Sequence, residues 1–340
     1  MAEAAEVSIR QSDRRLGWPR PPLAPRWMIW VPQAAILWAL VYGWLRVSWA
    51  IKGAPSFGPQ HIDLMYFSSW TAVALCAAAA LVAVALRVAP WHWSLLVAAW
   101  AVCAAHLVAC PLLLLDIVSA LLPGLGLPFS AAGFFSRSGC LIQGVLVGAS
   151  AVAFRRRWCS DCLFCGRSSV TIRPDKPSRW AMWGAYAAVM GCVIRLAAQY
   201  LLAFGDLARH VSGTRLVVEA LIFEAGFLLA GVILPLALVQ RWGRMFPAWI
   251  PVLACRPVPR WLLLGPAFVL SPLMTCYFSI TLVKIATDAL RGTSAQTFGS
   301  FPPAFFWVAV PGYLLWGVGL GIAAIGYQRM TRPRCRICGF

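Results

Sequence analysis

The sequence predicts an all-α integral membrane protein: eight transmembrane helices arranged as two parallel, tandem four-helix repeats. Composition is the first ground for this. Hydrophobic residues make up 61% of the 340-residue chain and charged residues 12%, a balance beyond that of ordinary soluble domains. The second is a series of eight apolar runs, each near the roughly 20 residues needed to cross the hydrocarbon core. The third is an internal repeat. Residues 144–166 (GVLVGASAVAFRRRWCSDCLFCG) and 317–339 (GVGLGIAAIGYQRMTRPRCRICG) match at a constant offset of 173, with eight of 23 positions identical.

The chain opens with a basic arm, residues 1–26, carrying Arg10, Arg14, Arg15, Arg20 and Arg26. It has neither an apolar core nor a small-residue cleavage site, so a cleaved signal peptide is not expected. The runs at 27–49, 66–88, 93–121 and 139–154 form the first four-span repeat, in residues 27–167. The third run is long and holds Pro111, which is expected to tilt or kink it. Residues 168–179 read as a cytosolic linker. The second repeat, residues 180–340, holds the runs 180–204, 216–239, 261–286 and 304–327.

Further matches accompany the tails. The first and fifth runs open with Pro25-Arg26-Trp27-Met28 and Ser178-Arg179-Trp180-Ala181-Met182, and the third and seventh follow Arg87 to Trp93 and Arg256 to Trp261. A unit with an even number of spans inserts the same way up in both copies, so the repeats are expected to be parallel.

Charge sets the orientation. With both termini inside, 21 of the 29 Lys and Arg fall on the cytosolic side, as the positive-inside bias requires of a multi-pass protein of the cell membrane. The net charge of +18 flanks the apolar runs instead of lining one face. Membrane lipids are therefore the expected partners and nucleic acid is not.

Each matched tail ends in C-x-x-C-G, and this topology puts both in the reducing cytosol, where metal binding is favoured over disulfides. Cys162, Cys165, Cys335 and Cys338 are the ligand set of a closed, structural zinc site, making a small cytosolic zinc-knuckle cap that staples the repeats. Locally these turns resemble the knuckles of zinc ribbons. An iron–sulfur cluster on Cys159, Cys162 and Cys165 plus one C-terminal cysteine is the alternative, and free thiols are a third.

Ionisable groups at membrane depth mark cavities or pathways. Here they are Arg46, Asp116, Arg195, Glu219, Glu224 and Lys284, all expected in the outer half. Asp116 and Lys284 are repeat equivalents of opposite charge and are expected to approach across the pseudo-twofold. Glu219 and Glu224, five apart, project about 140° apart on a helix and are not expected to form a carboxylate pair. Arg195 and Glu224 sit deeper and are expected to share a buried pair or a lined cavity. Together the six residues outline an outward-facing vestibule, in which arginine suits a phosphate or carboxylate; the alternative is that Arg46 and Lys284 snorkel to the outer headgroups while Asp116 and Glu219 lie in wet interfacial positions.

The chain lacks a Walker loop, a G-x-S-x-G elbow and an H-E-x-x-H pair, and its scattered histidines do not form a haem site. Three functions fit. The leading one binds or transports an anionic or amphipathic small molecule in the vestibule. A second is a structural or sensor subunit whose zinc cap engages a protein partner. A third is a membrane enzyme acting on a lipid-linked substrate at the outer face, with Glu224 or Glu219 as base and Arg195 as anion clamp. Single cysteines placed at Ser56, Ser130, Ser212 and Ser300 are expected to react with an impermeant thiol reagent from outside the cell. Outside labelling within the 167–178 loop would overturn this topology.

Overall fold

A computed structural model describes residues 25–57, 63–121, 129–158, 176–202, 214–246, 256–292, 302–332 and 335. Among the described residues the chain is helical. The one strand-like feature there is an isolated antiparallel bridge between Met245 and Pro257. Among these residues seven helices are long and apolar enough to cross a membrane, or eight if a bent pair counts as one span. The chain is built as a multi-pass membrane protein.

The first span, α1 (Arg26–Lys52), starts after Pro25 and stops at Gly53. Gly53 has φ of 92°, a conformation side chains resist. The second, α2 (Trp70–Val88), ends just before Ala89-Pro90. The third run is broken into α3 (Trp93–Ala109) and α4 (Leu113–Leu121), which bend by 41° at Cys110-Pro111. Proline lacks the amide that would continue the ladder, and its ring crowds the preceding turn. The fourth span, α5 (Ala131–Trp158), begins well before residue 139. Its early polar residues, Ser136 and Arg137, face inward and are buried, so they extend the helix instead of ending it.

The fifth span is α6 (Arg179–Leu202). The sixth comprises α7 (Thr214–Leu228), one π-helical turn (Leu229–Ile233) and α8 (Leu234–Val239). Finally come α9 (Arg260–Leu290) and α10 (Pro303–Thr331).

The helices pack as two groups. Around α5 gather α1, α2, α3 and α4; around α10 gather α6, α8 and α9. The groups meet where α3 faces α9, and Ala109, Cys110 and Leu273 share one apolar cluster there. Large apolar side chains point outwards: Trp44, Leu81, Trp183 and Leu201 are more than 70% exposed, as lipid contact requires. The interior holds many alanines, such as Ala35, Ala79, Ala151, Ala185 and Ala323. Apolar burial gives helices no advantage over lipid, so small residues that permit close van der Waals packing decide which helices pair.

That packing is tightest between α6 and α10. A Cβ at Gly191 would collide with the carbonyl oxygen of Gly312, and one at Gly319 with that of Gly184. The two backbones touch directly. In each group the first and last helices are also clamped at the basic end. Arg156 stacks over Trp27 at 5.3 Å, and Arg329 over Trp180 at 5.4 Å.

The zinc expectation is corrected. Among the described residues no group of three or more His, Cys, Asp or Glu is placed to hold a metal ion. A zinc cage needs four ligands converging on one point. Of the expected set, Cys335 is described, beyond the end of α10, whereas Cys162, Cys165 and Cys338 lie outside the described residues, as does Cys159 of the iron–sulfur alternative. The cysteines within the bundle, Cys76, Cys103, Cys110, Cys140 and Cys192, are buried packing residues.

Gly191→Ala and Gly319→Ala are each expected to destabilise the protein by about 1–3 kcal/mol, the usual penalty for overpacking. Gly265→Ala, where a Cβ meets nothing within 4 Å, is expected to be neutral or stabilising. Thermal unfolding in detergent distinguishes them, and equal stability of all three variants would show that the α6–α10 seam does not depend on bare glycines.

Candidate functional site

Two ionic clusters are built into the spans, one in each helix group. The first gathers at one end of α1. Arg46 lies six residues before the helix ends at Lys52, and its Nη1 pairs with Asp63 Oδ2 at 2.5 Å and donates to Ser136 Oγ at 3.0 Å. Ser136 in turn donates to Asp63 Oδ1 at 2.6 Å. One residue further along α5, Arg137 donates through Nε to the Asp63 carbonyl at 2.9 Å. Its Nη1 reaches both carboxylate oxygens of Asp116 at 2.5 and 2.6 Å. The break at Pro111 allows this, because it places Asp116 in the first turn of α4.

This cluster is closed. Two arginines balance two aspartates, and the four side chains are between 2% and 12% exposed. Tyr42 caps it by donating to the Ser136 carbonyl at 2.9 Å, and the Arg46 guanidinium lies over the rings of Tyr42 and Trp49. It ties the segment starting at Asp63 to α1, α4 and α5.

The second cluster is smaller and more open. On α6, Arg195 donates through Nη1 to Glu224 Oε2 at 3.0 Å and Oε1 at 3.2 Å. Gln199, one turn on, donates to Glu224 Oε1 at 2.8 Å. Arg195 Nε donates to the Tyr313 hydroxyl on α10 at 2.8 Å. Among the described residues, the Nη2 amines of Arg195 have no hydrogen-bond acceptor. The Glu224 side chain is 19% exposed, against 5% for Arg195.

Aromatic rings wall this second site. The Arg195 guanidinium lies 4.3 Å from the centre of the Phe227 ring, a cation–π distance. Phe278 of α9 stacks on Tyr313 at 4.1 Å and 3°, and Trp316 meets Phe227 at 5.3 Å. Trp316 is 2% exposed, and its indole Nε1 has no acceptor among the described residues. A buried donor without a partner calls for an explanation. The π turn begins five residues after Glu224, where Gly231 packs on Cys192 and Trp316. Such turns recur at functional sites.

The six residues read from the sequence thus divide. Arg46 and Asp116 join the first cluster, and Arg195 and Glu224 form the second. Asp116 is held by Arg137 and not by Lys284, its expected partner; Lys284 lies exposed on α9. Glu219 is on α7, but its side chain lies outside the description. Sequence reasoning missed Asp63, Arg137, Ser136 and Tyr313. A signal for the first two existed: the chain has only 11 acidic residues, and a buried arginine demands one of them.

Asp116→Asn is expected to destabilise the protein by about 3–5 kcal/mol, because it strands Arg137 without its counter-charge. The exchange Asp116→Arg with Arg137→Asp is expected to be more stable than either of its single changes, since each single leaves like charges facing. Thermal unfolding of the four proteins reads this directly. Additive losses would show that the two residues are not coupled.

No family model, curated protein or solved structure matches the chain, so the geometry of these two clusters carries the functional reading.

Proposed function

We propose that the protein is a multi-pass protein of the cell membrane that binds or transports an anionic, amphipathic small molecule at the Arg195 cluster. The carrying observation is the pair of unused donors there. Arg195 is fixed by Tyr313 and Glu224, and among the described residues neither its Nη2 amino group nor the buried Nε1 of nearby Trp316 has an acceptor. In this reading the carboxylate or phosphate is the acceptor these donors would share, arginine being the side chain best suited to such groups. The ligand's apolar portion is taken up by Phe227 and the Phe278–Tyr313 stack. In the first group the polar cluster is more buried, its carboxylates 12% and 6% exposed against 19% for Glu224, which fits a structural role instead.

The same proposal includes the duplicated architecture, and paired contacts support it. Glycines matched at the 173 offset pack on residues matched between the third and seventh spans. A Cβ on Gly144 would lie 2.9 Å from His106 Cβ, and one on Gly317 would lie 3.2 Å from Met274 Cβ. In the same way Gly148 faces Cys103, and Gly321 faces Ser271. His106 with Met274 and Cys103 with Ser271 are the pairs obtained by aligning Trp93 with Trp261. The Arg156–Trp27 and Arg329–Trp180 clamps correspond as well. The basic residues at the ends of the spans support a cytosolic position for both termini, by the positive-inside bias.

The test is a thermal-shift titration of the detergent-solubilised protein with alkyl carboxylates, alkyl phosphates and neutral alkyl glycosides of equal chain length. The anionic amphiphiles are expected to stabilise the protein and the neutral ones to do so less. Trp316→Phe is expected to weaken anion binding about threefold to tenfold, the worth of one hydrogen bond, and Arg195→Lys to weaken it further. Equal stabilisation by neutral amphiphiles, or an unchanged Trp316→Phe titration, would refute the proposal.

A further inference from the structure

At the basic end of the first helix group lies a cleft of about 400 Å³, lined by Leu86 to Pro90 on one side and by Arg157 and Trp158 on the other. That volume falls within the range of small-ligand pockets, about 300–1,000 Å³. Arg87 stands in the last turn of α2 and Arg157 in the last turn of α5. Both are braced by the start of α1. Gln33, with its amide set by the neighbouring donors, accepts from Arg87 Nη1 at 2.7 Å. Arg157 Nη2 donates to the Met28 carbonyl at 2.9 Å. The connecting turn is fixed by Trp91, which stacks on Phe154 at 5.5 Å and 14°. Arg87 and Arg157 thus line one cleft, Arg87 holding Gln33 through Nη1 and Nη2 and Arg157 holding Met28 through Nη2, with further N–H groups left on each guanidinium.

We propose that this cleft binds the phosphate of an anionic phospholipid headgroup, gripped between Arg87 and Arg157. Phosphate geometry suits the planar guanidinium fork, and basic pockets between spans are where such headgroups bind. The rim argues for a lipid over a soluble anion. Val88 is 73% exposed and Trp158 53%, so the cleft opens at the level where apolar spans give way to headgroups, a depth tryptophan favours. The site is single. At the 173 offset Arg157 corresponds to Met330, which is buried at 2% exposure, so the second group lacks the second wall. This site is separate from the Arg195 cluster and does not depend on it.

Native mass spectrometry of the full chain released from nanodiscs of phosphatidylcholine doped with phosphatidylglycerol tests the proposal. One phosphatidylglycerol is expected to survive release from the wild-type protein, in preference to phosphatidylcholine. Arg87→Gln and Arg157→Gln are each expected to reduce its retention by about tenfold, the loss of a charge-assisted contact. Arg155→Gln, an exposed charge on the same helix end, is expected to reduce it by less than about fivefold, the effect of one surface charge. Arg157→Lys keeps the charge and serves as the folding control, with retention between the wild type and Arg157→Gln. Three results would overturn the proposal: no preference for phosphatidylglycerol, an equal loss in Arg155→Gln, or displacement of the lipid by inorganic phosphate.

Discussion

A charge within an apolar span has no water to turn to, and the rest of this structure follows from how that problem is met. Each arginine in the polar clusters finds a carboxylate of the same chain: Asp63 for Arg46, Asp116 for Arg137 and Glu224 for Arg195. The pairs join segments far apart in sequence, so they act on the arrangement of helices and not on helix formation itself. A buried pair adds little net stability over an apolar replacement, yet losing one partner is severe. Their effect here is therefore specificity of assembly. The break at Pro111 serves the same end, since it lets Asp116 sit at a helix start within reach of Arg137.

The two helix groups meet the need for close packing in different ways. In the second, Gly184 and Gly191 lie against Gly312 and Gly319, backbone on backbone. In the first, side chains fill the corresponding space: Trp38 donates to the Gly139 carbonyl at 2.9 Å, and Tyr42 packs so closely that a Cβ on Gly139 would strike its ring. Proximity of backbones permits no adjustment, whereas an aromatic ring can turn. The more open polar cluster lies beside the rigid seam, which holds Tyr313 and Trp316 in fixed relation to Arg195.

Much of this was legible in the sequence because the membrane simplifies the code. Apolar runs gave the spans, Pro111 marked the bend, and the depth of Arg195 and Glu224 pointed to a shared polar environment. What was not legible depended on partners outside the apolar runs. The fourth span was expected to start at 139, yet Arg137 is inside the helix and neutralised by Asp116. Asp63 precedes the second span, so its pairing with Arg46 depends on tertiary placement that no local pattern carries. The zinc reading is overturned among the described residues, where no group of His, Cys, Asp or Glu is placed to hold a metal; a short motif states which ligands are available, not where the chain puts them.

The two arginine–tryptophan clamps have a topological consequence. Trp27 and Arg156 lie together, as do Trp180 and Arg329, so each helix group starts and finishes at one spot on one end of the bundle. A module closed in this way resembles a ring with a small gap. Copies of such a module can be strung in series by a short connection, with no strand of chain crossing the bilayer to reach the next copy. They can also be reopened at another loop without changing which helices are neighbours.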